Sequence, residues 1–181
     1  MSSSNSAEQS RQLYSYSGIV YPPRSIFSCQ PILAKSMFTR PLSRAQVREV
    51  DRRAIDEYGM TGLVLMENAG RGCAQTLLGI GCNGAVVIVC GRGNNAGDGF
   101  VIARHLDIHA VTVKVILLAA PNELRGDAAS NYAILSRCDV PMIDLSARFD
   151  GPTFDAQLAG ADWIVDALLG TGASGPPRPP L

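Results

Sequence analysis

The sequence predicts an α/β fold with a mostly parallel sheet. Four short β-branched runs begin near Ala85, Val111, Val140 and Trp163. Helical patterns fit between them, at about 98–109, 124–138 and 153–160. A glycine-rich loop follows the first run directly. That alternation is the rhythm of βαβ units with right-handed crossovers.

The elements are argued in chain order. Residues 1–42 are serine-rich, with Glu8 as their one acid, and hold no helical or strand period. They read as a disordered extension, or as a mis-assigned start with Met37 the true one. Low acidity with Ser and Arg also fits a mitochondrial targeting segment, although no amphipathic pattern supports it. A domain is expected over 43–181. Ser43 is an N-cap candidate and Gln46 completes a capping box. Val47, Val50, Ala54, Ile55 and Tyr58 then share one helical face, and Gly59 stands where a helix-ending glycine belongs. A second helix is expected from Thr61 to about Leu78. Its small residues Ala69, Gly70, Gly72, Cys73 and Ala74 suit close packing. The run Ala85 to Cys90 is continuous and bounded by glycines, as a strand buried on both faces should be. The runs 111–118, 140–145 and 163–168 repeat that character.

Composition excludes several classes. Sixteen basic side chains balance sixteen acidic ones among 181 residues, which disfavours a general nucleic-acid binder. No apolar run approaches the ~20 residues of a membrane-spanning helix. The five cysteines form no C-x-x-C pair. Reduced thiols in the cytoplasm are therefore expected, without a disulfide framework or a zinc site.

Ligands of parallel sheets bind beyond the carboxyl ends of the strands. Two glycine loops lie there. The first runs from Gly91 to Gly99 and carries Asn94, Asn95 and Asp98. Its exposed N–H groups and the following helix N-terminus make an anion site, read as one for phosphate. The Asn side chains suit a nucleotide or a hard cation. Asp98 caps the helix or binds a ligand hydroxyl. Gly91, Gly93 and Ala96 also match a weak dinucleotide fingerprint. The second strand ends without the acid that would hold a ribose, so a hydride-transferring dehydrogenase is disfavoured. No Gly-Lys-Ser/Thr occurs, which excludes a P-loop.

The second loop, Gly170 to Gly175, follows a strand carrying Asp166. A carboxylate in an apolar strand must be paired, hydrogen-bonded or bound to a cation. Asp166 either contributes oxygen to a hard cation or caps the loop that follows. His105 is read as a packing or surface residue, Arg104 as a solvated helix face or a contact to a ligand phosphate, and Trp163 and Tyr58 as core or interface.

Taken together, Met66-Glu67-Asn68-Ala69-Gly70, Gly93-Asn94-Asn95-Ala96-Gly97-Asp98-Gly99, Ala103-Arg104-His105-Leu106 and Val165-Asp166-Ala167-Leu168-Leu169-Gly170-Thr171-Gly172 resemble the NAD(P)H-hydrate epimerase family. This is the YjeF N-terminal domain, which includes apolipoprotein A-I-binding proteins. The resemblance covers about 43–181. It implies a Rossmann-like three-layer α/β/α domain, usually homodimeric, that interconverts the R and S hydrates of NADH and NADPH. A partner dehydratase would then restore the cofactor. Carried over by position, Asn95 and Asp166 match K+ ligands. Substrate contacts fall on Asn94, Asn95, Ala96, Gly97 and Asp98, and on Gly170, Thr171, Gly172, Ala173, Ser174, Gly175 and Pro176. Asp166 is the catalytic candidate, in a set expected to be incomplete. Ala96 stands where the family usually has Gly, which is tolerable at negative φ. The family's later strand, with its Asp-Ile-Pro-Ser-Gly segment, does not occur before Leu181. The chain therefore reads as truncated, with one sheet edge exposed. A non-catalytic nucleotide-binding or protein-interaction module is the alternative function.

Overall fold

The computed structural model describes residues 13–15, 18–21, 42–170 and 172. Its sheet has the order β1-β2-β6-β3-β4-β5. Four parallel strands form its body: β3 (Val86–Cys90), β4 (Val113–Leu117), β5 (Met142–Asp144) and β6 (Trp163–Ala167). These are the four runs expected, each shortened by a residue or more. The short strands β1 (Leu13–Ser15) and β2 (Gly18–Tyr21) complete one side.

That side corrects the sequence reading. Residues 1–42 were expected to hold no strand, and the edge beyond β6 to be bare. Instead β2 pairs antiparallel with β6, matching Ile19 to Asp166, and β1 pairs with β2. The pairing spans most of the chain, so no local period announces it.

Helices cover both faces. α1 (Arg44–Asp56) starts at Ser43, whose side chain accepts from Gln46 N–H while Gln46 closes the capping box. After α1, Gly59 adopts φ +67° and Met60 N–H reaches the Ala54 carbonyl at 3.0 Å. Of the apolar face expected on α1, Val47 and Ala54 are half-buried, while Val50, Ile55 and, just beyond the helix, Tyr58 at 74% are exposed. α2 (Gly62–Gly79) is capped by Thr61. It lies close on α3 (Asn94–Ile108), where a Cβ on Gly70 would fall 2.5 Å from the Val101 Cβ. α4 (Gly126–Leu135) follows a 3₁₀ turn at Pro121–Glu123 and packs beside α3.

Strand alternation divides the core. Val86, Ile88, Cys90, Val113, Val115, Leu117, Val165 and Ala167 point towards α2, α3 and α4, around a fully buried Phe100. Val87, Val89, Ile116 and Ile164 point the other way, against Phe154 and Leu158 of α5 (Gly151–Leu158). Trp163 packs partly buried on the first cluster, as its core reading expected. This is the three-layer arrangement.

Candidate functional site

β3 and β6 are parallel neighbours, with Val89 opposite Asp166 and Cys90 opposite Ala167. The two glycine loops therefore leave the sheet side by side. Gly91 N–H donates to the Ala167 carbonyl at 3.2 Å. A Cβ on Gly91 would stand 2.5 Å from the Leu168 carbonyl oxygen, so the loops approach closer than any side chain permits.

α3 begins earlier than its period suggests, at Asn94 rather than Asp98. Its N-cap is Gly93, which makes no side-chain cap bond. Asp98 is thus inside the helix, and its expected capping role is corrected. A cap must precede the first turn, and the loop itself had already turned into helix. Ala96 is helical and fully buried, so its Cβ costs nothing in φ. Asn94 is exposed; Gly97 is buried.

Asn95 is 5% exposed and packs towards Gly170, where an added Cβ would meet the Asn95 Cβ at 3.3 Å. Its buried Nδ2 has no hydrogen-bond partner among the described residues. Such an orphan points to a group from outside the chain. Which end of an amide is oxygen is assigned from its bonds, so the same position also serves a carbonyl ligand to a cation.

Asp98 is 8% exposed, and no donor among the described residues bonds its carboxyl. Burial pushes that carboxyl up to about 7, and the charge of Asp51 on α1 adds to the effect.

Asp166 is half-buried on the face of Ile164 and Leu168. Its Oδ1 accepts from Leu168 N–H at 2.9 Å, so capping of its own loop is realised. No hydrogen bond joins it to Asn95 among the described residues. Of the second segment, Gly170 is half-buried and Gly172 exposed. Thr171, Ala173, Ser174, Gly175 and Pro176 lie outside the described residues.

One cluster was missed. Glu67 on α2 accepts from Arg104 at 2.6 Å and binds His105 Nε2 at 2.7 Å, and Arg104 also donates to Asn131 of α4 at 3.1 Å. Arg104 is only 15% exposed, which corrects its reading as a solvated face. Glu67 and the Arg104-His105 pair sit in two of the quoted motifs, and the packing of α2 on α3 brings them together. Burial alone would raise the Glu67 carboxyl; the hydrogen bonds from His105 and Arg104 outweigh it and hold it below the usual range.

Fold and site together define a Rossmann-like ligand-binding domain with a paired-loop cleft at the carboxyl edge of its sheet. The family described as YjeF-related protein N-terminus matches residues 62–181, and the chain belongs to it. The NAD(P)H-hydrate epimerase of Pirellula staleyi is 55% identical, over 77% of this chain and 61% of that protein. The NAD(P)H-hydrate epimerase of Rhodopirellula baltica is 42% identical, over 78% of this chain and 54% of that one. The bifunctional NAD(P)H-hydrate repair enzyme Nnr of Salinibacter ruber is 39% identical, over 82% of this chain and 29% of its own length. The crystal structure of yeast ynu0 superposes with a TM-score of 0.63 at 26% identity, covering 78% of this chain and 61% of that one. The chain thus spans between 29% and 61% of the length of these curated relatives.

Proposed function

We propose that this chain is an isomerase that interconverts the R and S hydrates of NADH and NADPH. The observation that carries the reading is the buried, unpartnered Asn95 amide where the two glycine loops meet. The relatives named NAD(P)H-hydrate epimerase support it. The first-turn N–H groups of α3, uncapped by any side chain, suit a phosphate of the dinucleotide. In this reading segments 94–98 and 170–176 line the hydrate site, carried by a domain over 43–181 to which β2 of the preceding segment adds a strand.

Potassium is the proposed cofactor. The residues fit it: an Asn95 amide without a partner and the free side of the Asp166 carboxylate offer hard oxygen donors. Asn95 and Asp166 would hold the ion, which supplies a fixed positive charge beside the hydrate. Bifunctional relatives named as repair enzymes support coupling to an NAD(P)H-hydrate dehydratase. The uncovered apolar residues Val50, Ile55 and Tyr58 support a homodimer. No helix among the described residues is long and apolar enough to cross a membrane. Free thiols at Cys73, Cys82, Cys90 and Cys138 agree with a reducing, cytoplasmic setting.

The test follows resolved NADPH hydrate by chromatography in potassium and in sodium buffers. Faster equilibration in potassium, slowed and made cation-insensitive by Asp166→Asn, is expected. An Asp166→Asn rate equal to wild type in both buffers would remove Asp166 from the ion site. Hydrate binding without turnover would select a non-catalytic nucleotide-binding module instead.

A further inference from the structure

We propose that Asn131 is a positioning residue for the hydrate site, acting through Met66 on the first turn of α3; this rests on the epimerase reading above. Asn131 is 1% exposed and lies on α4, outside both glycine loops. An arginine only donates, so the bond from Arg104 Nη2 at 3.1 Å identifies the oxygen end of the amide. The nitrogen end therefore faces the Met66 Sδ and the Asp127 carbonyl, each at 3.2 Å.

Met66 is the link to the site. A Cβ placed on Gly97 would fall 2.4 Å from the Met66 Sδ and 3.0 Å from the Ala128 Cα. The thioether of α2 is thus seated directly on the backbone of α3, two residues after Asn95. Residues two apart on a helix face nearly opposite ways. Gly97 meets Met66 on one side of the turn, and Asn95 packs towards Gly170 of the second loop on the other. A methionine held by packing alone adapts its rotamer readily. The Asn131 amide removes that freedom by donating to the sulfur, and so fixes how far Asn95 reaches towards the second loop.

The neighbouring polar groups act on the same place. Arg104 Nη2 also donates to Glu67 at 2.6 Å, and Glu67 follows Met66 in α2. Met66, Glu67, Arg104 and Asn131 therefore close a ring that sets the register of three helices together. The ring is not the most stable filling of that space. The buried Arg104 Nε finds no partner among the described residues, and a desolvated donor costs stability. A polar cluster that gives up stability while fixing register suits the support of a functional site.

The test compares wild type, Asn131→Leu, Met66→Leu and the double variant in epimerisation of NADPH hydrate. Melting temperature and deuterium uptake of segment 91–99 are measured on each. Both single changes roughly conserve side-chain volume. Asn131→Leu should lower kcat about tenfold or more, since misplacement by about 1 Å costs on the order of 100-fold. The double variant should be no slower than the slower single, because both act through one contact. Segment 91–99 should exchange about tenfold faster in Asn131→Leu, with uptake of β3 and β4 unchanged. Leu158→Ala, on the other face of the sheet, should lower the melting temperature and leave kcat within about twofold, which separates positioning from stability. A kcat within about threefold of wild type in folded Asn131→Leu, or additive losses in the double variant, would overturn the role. If Asn131→Leu does not fold, Met66→Leu is held to the same kcat and exchange criteria. An inactive wild type overturns the epimerase reading itself; exchange then decides the positioning role alone, and unchanged uptake in 91–99 overturns it.

Discussion

Asp98 shows how burial and position compete at one residue. Asp98 lies beyond the first turn of α3, the turn in which a helix favours a negative charge by ~0.3–1 kcal/mol at exposed sites. Burial and Asp51 prevail, and the carboxyl rises to about 7 from the ordinary 3.8. A raised acid binds more protons folded than unfolded between those values, so stability falls as pH climbs through that window. Asp98→Asn should therefore raise the melting temperature more at pH 8 than at pH 5, which thermal unfolding at both pH values checks. The cysteines give a second residue-scale prediction. Burial pushes the Cys82 thiol up to about 11, and raises fully buried Cys90 as well. Among the described cysteines, exposed Cys138 should be alkylated first, and Cys90 only on unfolding, as peptide mass mapping would show. Asn95 and Asp98 were legible in the sequence as glycine-loop polar residues. Their lack of partners was not, because satisfaction depends on elements distant in the chain. Arg104 failed for the same reason: its partners Glu67 and Asn131 lie on other helices.

At the scale of elements, α2, α3 and α4 are tied by the Glu67–Arg104–His105–Asn131 network. Glu67 is held below its unfolded value, so its stabilisation is complete above about pH 4.5 and lost as pH falls through the folded value. Glu67→Gln should cost on the order of 1–2 kcal/mol at pH 7, discounted for the partial exposure of Glu67, and less at pH 3. Urea unfolding at both pH values tests this. Loop pairing gives another prediction. Gly91→Ala forces a methyl group against the Leu168 carbonyl and should cost about 1–3 kcal/mol while weakening hydrate binding. The β-branched runs made the four parallel strands legible, because a doubly buried strand writes its burial into consecutive residues. α1 was legible as a helix through its cap and period, but not in its packing: Val47 and Ala54 are half-buried while Val50 and Ile55 of the same face are exposed.

The whole molecule places its chemistry where adjacent parallel strands release two loops on one edge. Strand order is what brings residues 91–99 and 166–170 together, and sequence spacing alone left that adjacency open. The antiparallel pairing of β2 on β6 was not legible, since it links residue 19 to residue 166 without a local signal. Family membership, the paired loops and the orphan Asn95 are what the proposed epimerase reading stands on. The most direct measurement is the rate at which this chain equilibrates a single resolved epimer of NADPH hydrate at neutral pH in potassium buffer. The account predicts equilibration well above the buffer rate and proportional to protein concentration. Equilibration at the buffer rate, by chain shown to be folded, would contradict it.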